Sequence, residues 1–430
     1  MTAESPSRAT VYKATPPQRR LITMRHAPGG VPSQIVAVHL LLRGPLDVDR
    51  LRRALTELVR RHPILRTNYA MLDDEEVLAI VHENEGPDVF HVAPRTGLSD
   101  ESAIHEHAAR AFEDLSRNFL APNRHSILQS ALLPHGENLH SLLFAVDHVA
   151  IDERSRVILQ RELAALYAQR PENLGEVHPF DPDAVRTSFP SIEETPALRE
   201  LLTPLPPRLL ASPAPETDPD AFRPLTAAQP LAKTTSSRLD ATARRLRCTR
   251  FVLHMAAVMW ALKRFTRTDD VSVVAPIDTR QRAEDFRTVG YYQNLALLRS
   301  RAPRAAGLAQ TVRECRSIMR DTFRRRDYPI SSLITHAAAQ RAGKRYRNPL
   351  YQVVLIHSTE DAGQGWALEG LEVQPKEIER TQAANELRIH VTDRPAGTEL
   401  LLVGAAGAVG QQDLDRLLEL WQEAESTLTR

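Results

Sequence analysis

Apolar and polar positions along this chain fall into stretches whose periods can be read directly. In "PLDVDRLRRALTELVRRHPILRT" the apolar residues Leu51, Ala54, Leu55, Leu58 and Val59 have the spacing of a helix with one buried face. Asp47 stands where its N-cap would be, and Arg60 and Arg61 suit the negative end of the helix dipole. "LHSLLFAV" (139–146) is a short unbroken apolar run and predicts a buried strand. "RSRVILQRELAALYAQ" (154–169) returns to helical spacing through Val157, Ile158, Leu163 and Leu166. The spacing predicts further helices over 251–265 and 411–428, and further strands over 271–277 and 350–357. Between about 170 and 235 the chain is dense in proline, which breaks both periods and predicts an irregular crossing. Strands and helices mix in both halves, without sustained alternation and without a glycine-rich loop. An α+β chain of two lobes follows: residues 1–175, a proline-rich crossing at 176–235, and residues 236–430.

Length agrees with two lobes, since 430 residues exceed one ordinary core. The net charge is +1, from 55 basic and 54 acidic residues, and gives no reason to expect nucleic acid or a membrane surface as partner. Two cysteines, Cys248 and Cys315, are too few for a disulfide framework and lack metal-ligand spacing. A reducing cytoplasm and a monomer are the simplest expectations. The first twenty residues carry no apolar signal segment, and no run long enough to span a bilayer follows.

Candidate chemistry centres on "FAVDHVAIDERS" (144–155), on the turn between the predicted strand and helix. It holds a His-x-x-x-Asp pair, His148 and Asp152, with Asp147 just before the histidine. With 16 histidines in the chain, about one such pair is expected by chance. A second pair, His357 and Asp361, does occur. Taken alone, His148 is better read as a satisfied structural histidine, and Asp152 as the cap of the following helix. "RRR" (324–326) reads as a solvated helix face rather than a docking patch.

The neighbourhood changes that balance. "DHVAIDE" with Ser155 resembles the His-His-x-x-x-Asp-Gly signature of the condensation domains of nonribosomal peptide synthetases, within the chloramphenicol-acetyltransferase-like superfamily. "TPPQRRL" (15–21), "RRHPILRTNY" (60–69), the block 275–300 with Arg280, Gly290 and Asn294, "RDYPISSLI" (326–334) and "RNPLYQVVLIH" (347–357) resemble further family segments, in the family order. The resemblance implies two acetyltransferase-like lobes packed as a V with a tunnel between them. It implies an acyltransferase acting on acyl groups held as thioesters on the phosphopantetheine of an acyl or peptidyl carrier protein. An amine acceptor, free or carrier-bound, would attack, with no cofactor of the protein's own and no metal. His148 would be the base or amine-positioning residue. Asp152 would pair with Arg280 to hold the loop, with Asp147 also structural, and Glu153, Ser155 and Asn294 would line the tunnel. His357 with Asp361 falls at a strand end in this scheme and is coincidental.

Three departures matter. Asp147 replaces the first histidine, Glu153 replaces the glycine, and the crossing lacks the aromatic segment that usually joins the lobes. Asp147, Asp152 and Ser155 also fit the Asp-x-x-x-x-Asp-x-x-Ser pattern of heterocyclization domains. A degenerate signature further suits a non-catalytic domain that recruits a partner enzyme. A stand-alone condensation enzyme of natural-product biosynthesis is the leading expectation. A bulky side chain such as Arg347 or Glu153 filling the tunnel at His148 would count against it.

Overall fold

The chain divides into two units that are not contiguous along the sequence. The structure, a computed structural model, describes residues 9–26, 35–72, 76–82, 89–117, 126–185, 188–210, 219–230, 233–339, 349–359, 366–376, 378, 383, 385–394 and 397–429. Unit 1 takes residues 1–187, 280–292 and 364–379; unit 2 takes 188–279, 293–363 and 380–430. The division thus cuts across the linear one expected from composition, because two later segments pack with the N-terminal part of the chain.

Unit 1 begins with β1 (Ala9–Lys13), α1 (Pro16–His26), β2 (Ile35–Arg43) and α2 (Val48–Arg61). It continues through β3 (Thr67–Met71), β4 (Val77–His82), β5 (Phe90–Val92), α3 (Glu101–Arg117), β6 (Leu128–Pro134), β7 (Leu139–Asp147) and α4 (Glu153–Tyr167). β1, β4 and β3 make a small antiparallel sheet. The main sheet has β7 between β2 and β6, antiparallel to both.

β7 is covered on both faces, which explains its unbroken apolar run. Leu142, Phe144 and Val146 join the cluster that contains Leu51, Leu55 and Leu58 of α2 and Leu159 and Leu163 of α4. Leu143 packs with Ala108 of α3 on the opposite face. α2 is capped by Asp47, whose carboxylate accepts from Arg50 N at 2.9 Å, and buries the five predicted apolar positions.

Unit 2 holds α5 (Pro196–Leu202), β8 (Pro224–Pro230), α6 (Lys233–Leu246), α7 (Arg250–Thr266), β9 (Val271–Asp278), β10 (Gln293–Ser300), α8 (Leu308–Arg324), α9 (Ile330–Ala339) and β11 (Val353–Thr359). The chain then gives β12 (Glu372–Lys376) to unit 1, where it pairs antiparallel with β2 at the edge of the main sheet. It closes in unit 2 with β13 (Leu387–Arg394), β14 (Gly397–Ala405) and α10 (Gln411–Leu428). The sheet of unit 2 runs β10-β9-β11-β13-β14-β8, with β11 parallel to both its neighbours. α7 is buried continuously from Val252 to Lys263 and forms the centre of the core of unit 2 with α10 and the inner strands.

The proline-rich crossing is not irregular throughout, as its composition suggested. Pro196 opens α5 in the first turn, where a missing N–H costs nothing. Pro224 and Pro230 bound β8, an edge strand that tolerates a missing donor. Among the described residues no helix is long and apolar enough to cross a membrane.

Candidate active site

β7 ends at Asp147 and α4 starts at Glu153, so the motif occupies a tight strand-to-helix turn. Ala150 N donates to Asp147 O at 3.1 Å and closes the turn. Val149, Ala150 and Ile151 are buried in the core of unit 1, and His148 is left partly exposed between them and β7. The apolar residues therefore anchor the turn, and the histidine is the side chain it presents. Gln18 of α1 secures the turn from behind. Its fully buried amide donates to Val149 O at 3.2 Å and to the Tyr69 hydroxyl at 2.9 Å.

His148 Nδ1 lies 2.8 Å from Ile151 O. A carbonyl only accepts, so the proton of the neutral ring sits on Nδ1 and the lone pair on Nε2. The Tyr291 ring stands edge-on to the imidazole, with centroids 5.4 Å apart and planes at 84°. The ring is therefore oriented by one hydrogen bond and one aromatic contact, with its proton-accepting nitrogen on the far side from Ile151.

The two aspartates are engaged in different ways. Asp147 is buried. Its Oδ2 accepts from Arg25 Nη2 at 2.6 Å and its Oδ1 from Val149 N at 3.1 Å. Asp152 is buried too and combines three connections. Oδ1 caps α4 by accepting from Ser155 N at 2.9 Å. Both oxygens receive the Arg280 guanidinium, at 2.6 and 3.0 Å. Oδ2 also accepts from Tyr292 N at 3.0 Å. Ser155 is fully buried; its Oγ accepts from Gly290 N at 3.0 Å, and its single proton lies between Asp152 Oδ1 and Gly290 O, each at 2.8 Å. One carboxylate and one hydroxyl thus clamp residues 280–292 onto the start of α4.

Gly290 is required there, because a Cβ would run into the Phe180 ring and lie 2.9 Å from Tyr292 Cε2. Glu153, at the first position of α4, has an exposed side chain that accepts from Arg156 Nε at 3.0 Å. Beneath the turn, Ile151, Phe144 and Trp366 help line an apolar cavity of about 20 Å³, room for about one water and too small for an acyl chain.

His148, Asp147, Asp152, Ser155 and Arg280 are brought together in unit 1. Two residues expected to line a substrate tunnel do not have side chains available for it. Ser155 is enclosed by the clamp just described. Asn294 belongs to unit 2, is buried, and donates to Arg326 O at 2.8 Å and Tyr328 O at 2.7 Å, holding the turn after α8. The triple arginine is not one solvated face: α8 ends at Arg324, which is exposed, whereas Arg325 and Arg326 are partly buried in that turn. Asp361 and Arg347 lie outside the described residues. Sequence reasoning missed Arg25, which lies 122 positions from Asp147 with no spacing rule to connect them. It also missed the role of Gln18, although "TPPQRRL" had been singled out.

Residues 8–402 match the family described as Condensation domain. The chain belongs to the condensation-domain family. Surfactin synthase subunit 1 of Bacillus subtilis (strain 168) is 24% identical over 424 residues, covering 97% of this chain and 11% of that protein. Tyrocidine synthase 3 of Brevibacillus parabrevis is 24% identical over 421 residues, 96% of this chain and 6% of that protein. This condensation domain therefore spans about a tenth or less of the length of these curated relatives. Among solved structures, the first condensation domain of the calcium-dependent antibiotic synthetase, in complex with a substrate analogue, superposes with a TM-score of 0.74 at 18% identity, covering 98% of this chain and 96% of that one. The X-domain from teicoplanin biosynthesis superposes with a TM-score of 0.77 at 20% identity, covering 100% and 97%. These likenesses show the fold, a mixed chain of helices and strands with a sheet in each of two lobes.

Proposed function

We propose that this condensation domain transfers an acyl or aminoacyl group from a carrier-protein phosphopantetheine thioester to an amine. The observation that carries this reading is the orientation of His148: Nδ1 is committed to Ile151 O, which leaves Nε2 as proton acceptor. In the reaction the amine nitrogen attacks the thioester carbonyl carbon, the C–N bond forms and the C–S bond breaks. His148 Nε2 takes the proton leaving the amine and returns it to the departing thiolate. Asp152 and Arg280 position the turn and do not touch the reacting atoms. Asp147 acts in the same way through Arg25, and its occupied oxygens weigh against a heterocyclization role.

One feature favours a second reading, a domain that recruits a partner enzyme without reacting: acidic Asp147 and Glu153 stand where the family signature has histidine and glycine. The X-domain of teicoplanin biosynthesis has been solved in complex with OxyB, and a docking role of that kind is the alternative here. The test uses purified protein, carrier protein loaded with a panel of acyl and aminoacyl groups, and free and carrier-bound amines. Loss of the thioester is followed by intact mass spectrometry. Turnover that disappears in His148→Ala and survives in His148-retaining variants supports condensation. Loss of water from a Cys, Ser or Thr product would move the reading to heterocyclization. No turnover by the wild type, with carrier protein still bound, would overturn catalysis in favour of recruitment.

A further inference from the structure

Unit 2 contains a second group of chemistry-bearing side chains, assembled from three elements far apart in sequence. His254 comes from α7, His357 from β11 and Asp393 from β13. One ligand atom from each lies within 4.8 Å of the others. His357 Nε2 is 2.8 Å from Asp393 Oδ2, and His254 Nε2 is 3.6 Å from Asp393 Oδ1.

Two observations set this group apart from an ordinary ion pair. First, His254 is fully buried, and its Nε2 meets Asp393 Oδ1 only across 3.6 Å, an ion-pair separation longer than a hydrogen bond. A buried nitrogen held at that distance gains less from the carboxylate than a hydrogen bond would give. Second, the residues around the group are arranged as supports. Glu425 Oε1 lies 3.1 Å from His254 Nδ1 and is buried with it. Glu425 accepts from Nδ1–H, so a bound ion would take the place of the proton on Nε2. Thr398 Oγ1 donates to Asp393 Oδ1 at 2.6 Å and orients that carboxylate in turn. His357 is partly exposed, which gives an ion a way in.

We propose that His254, His357 and Asp393 form a binding site for a divalent transition-metal ion of the zinc type. Two imidazole nitrogens and one carboxylate oxygen are a common donor set for that ion, with Glu425 and Thr398 supporting them. Zinc holds such ligands at about 2.0–2.2 Å, which sets neighbouring ligand atoms a little over 3 Å apart. The two histidines approach different oxygens of Asp393, at 2.8 and 3.6 Å, and the three ligand atoms lie within 4.8 Å of one another, so side-chain rotation would have to draw them together around an ion. The ion would tie α7, β11 and β13 together and act as a staple of unit 2. Arg250 Nε, 3.3 Å from Asp393 Oδ2, competes for the carboxylate, so the site is expected to exchange its ion rather than trap it. Linear spacing gave no hint of this group, because its members are spread over nearly 140 positions.

The experiment uses the full chain, stripped with a chelator and titrated with Zn²⁺ and with Co²⁺. The expected result is one equivalent bound per chain, visible absorption of tetrahedral Co²⁺, and a higher melting temperature with Zn²⁺. His357→Ala, at the partly exposed member, should fold and lose at least about 100-fold in affinity, together with the melting shift. Glu425→Gln should bind about 10- to 100-fold more weakly, as expected for a supporting residue. An equivalent that survives His357→Ala unchanged belongs to other histidines and overturns the proposal. So does failure of the wild type to bind Zn²⁺ or to be stabilised by it. His148 plays no part in any of these readouts.

Discussion

At the scale of single residues, the motif turn separates a side chain that faces outward from side chains that hold it. His148 is oriented by Ile151 O and Tyr291, and the proposed proton transfer rests on it. His148→Ala is expected to lower turnover by about 10²- to 10⁴-fold with an unchanged melting temperature, measured by thioester loss beside a thermal scan. Asp147 is the reverse case. Its ion pair with Arg25 is almost wholly removed from solvent, with side chains 11% and 5% exposed. Removing one member of such a pair strands a buried charge, at a cost of about 3–5 kcal/mol. Asp147→Leu and Arg25→Leu should therefore each lower the melting temperature by roughly 10 °C, and the double variant by clearly less than the sum. Additive losses in that cycle would show that the two charges do not stabilise one another. The sequence pointed to the aspartate as a departure from a signature. Its compensating arginine was invisible, because the pair forms only when α1 packs against the end of β7.

Among secondary-structure elements, the feature that positions the site is the attachment of residues 280–292 to α4. Asp152 caps the helix through Oδ1 and receives Arg280 on both oxygens, and Ser155 accepts the Gly290 N–H. Arg280→Ala is expected to free this segment: amide hydrogen exchange within 280–292 and the first turn of α4 should rise by at least about tenfold, while α7 and α10 keep their protection. Arg280→Lys should restore little, since an ammonium cannot span both oxygens. Unchanged exchange in Arg280→Ala would mean that Ser155 and the Tyr292 N–H suffice to hold the segment. The elements themselves were largely legible. α2, β7, α4, α7, β9 and α10 lie where the apolar period placed them, because each has either one apolar stripe or a run covered on both faces. β8 and α5 were missed because proline was read as a breaker in places where it is harmless, at an edge strand and in a first helical turn. β12 was missed because it is short and mostly polar, and only its pairing with β2 makes it a strand.

For the whole molecule, acid stability follows from histidines buried on the α3 side of unit 1. His39 and His135 both bond to Ser141 Oγ, at 2.9 and 3.0 Å. Burial, with the nearby charges of His105, His135 and Lys376, pushes His39 down to about 4. Burial, with His107 and His140, does the same to His135, also to about 4. A base whose pKa is lower folded than unfolded leaves the unfolded chain binding more protons between the two values. The stabilisation is complete above about 6.5, the ordinary value for histidine, and is lost as the pH falls from there towards 4. The melting temperature should therefore drop by on the order of 5 °C between pH 7 and pH 5, and His39→Gln should flatten part of that slope. A melting temperature independent of pH across that window would mean that these histidines take up protons in the fold as readily as in the unfolded chain.

The sequence by itself determined the class of fold, the family and the place of the motif on a strand-to-helix turn. All three depend on local periods and on short segments kept in order along one chain. Tertiary structure alone decided the rest: the arginine that answers Asp147, the clamp that encloses Ser155, the commitment of Asn294 to backbone carbonyls, and the meeting of His254, His357 and Asp393. Each of these is a contact between residues far apart in sequence. Hydrophobic periodicity says which face of an element is buried, but it does not say which other element covers that face, and the chemistry of a buried polar group is set by what covers it.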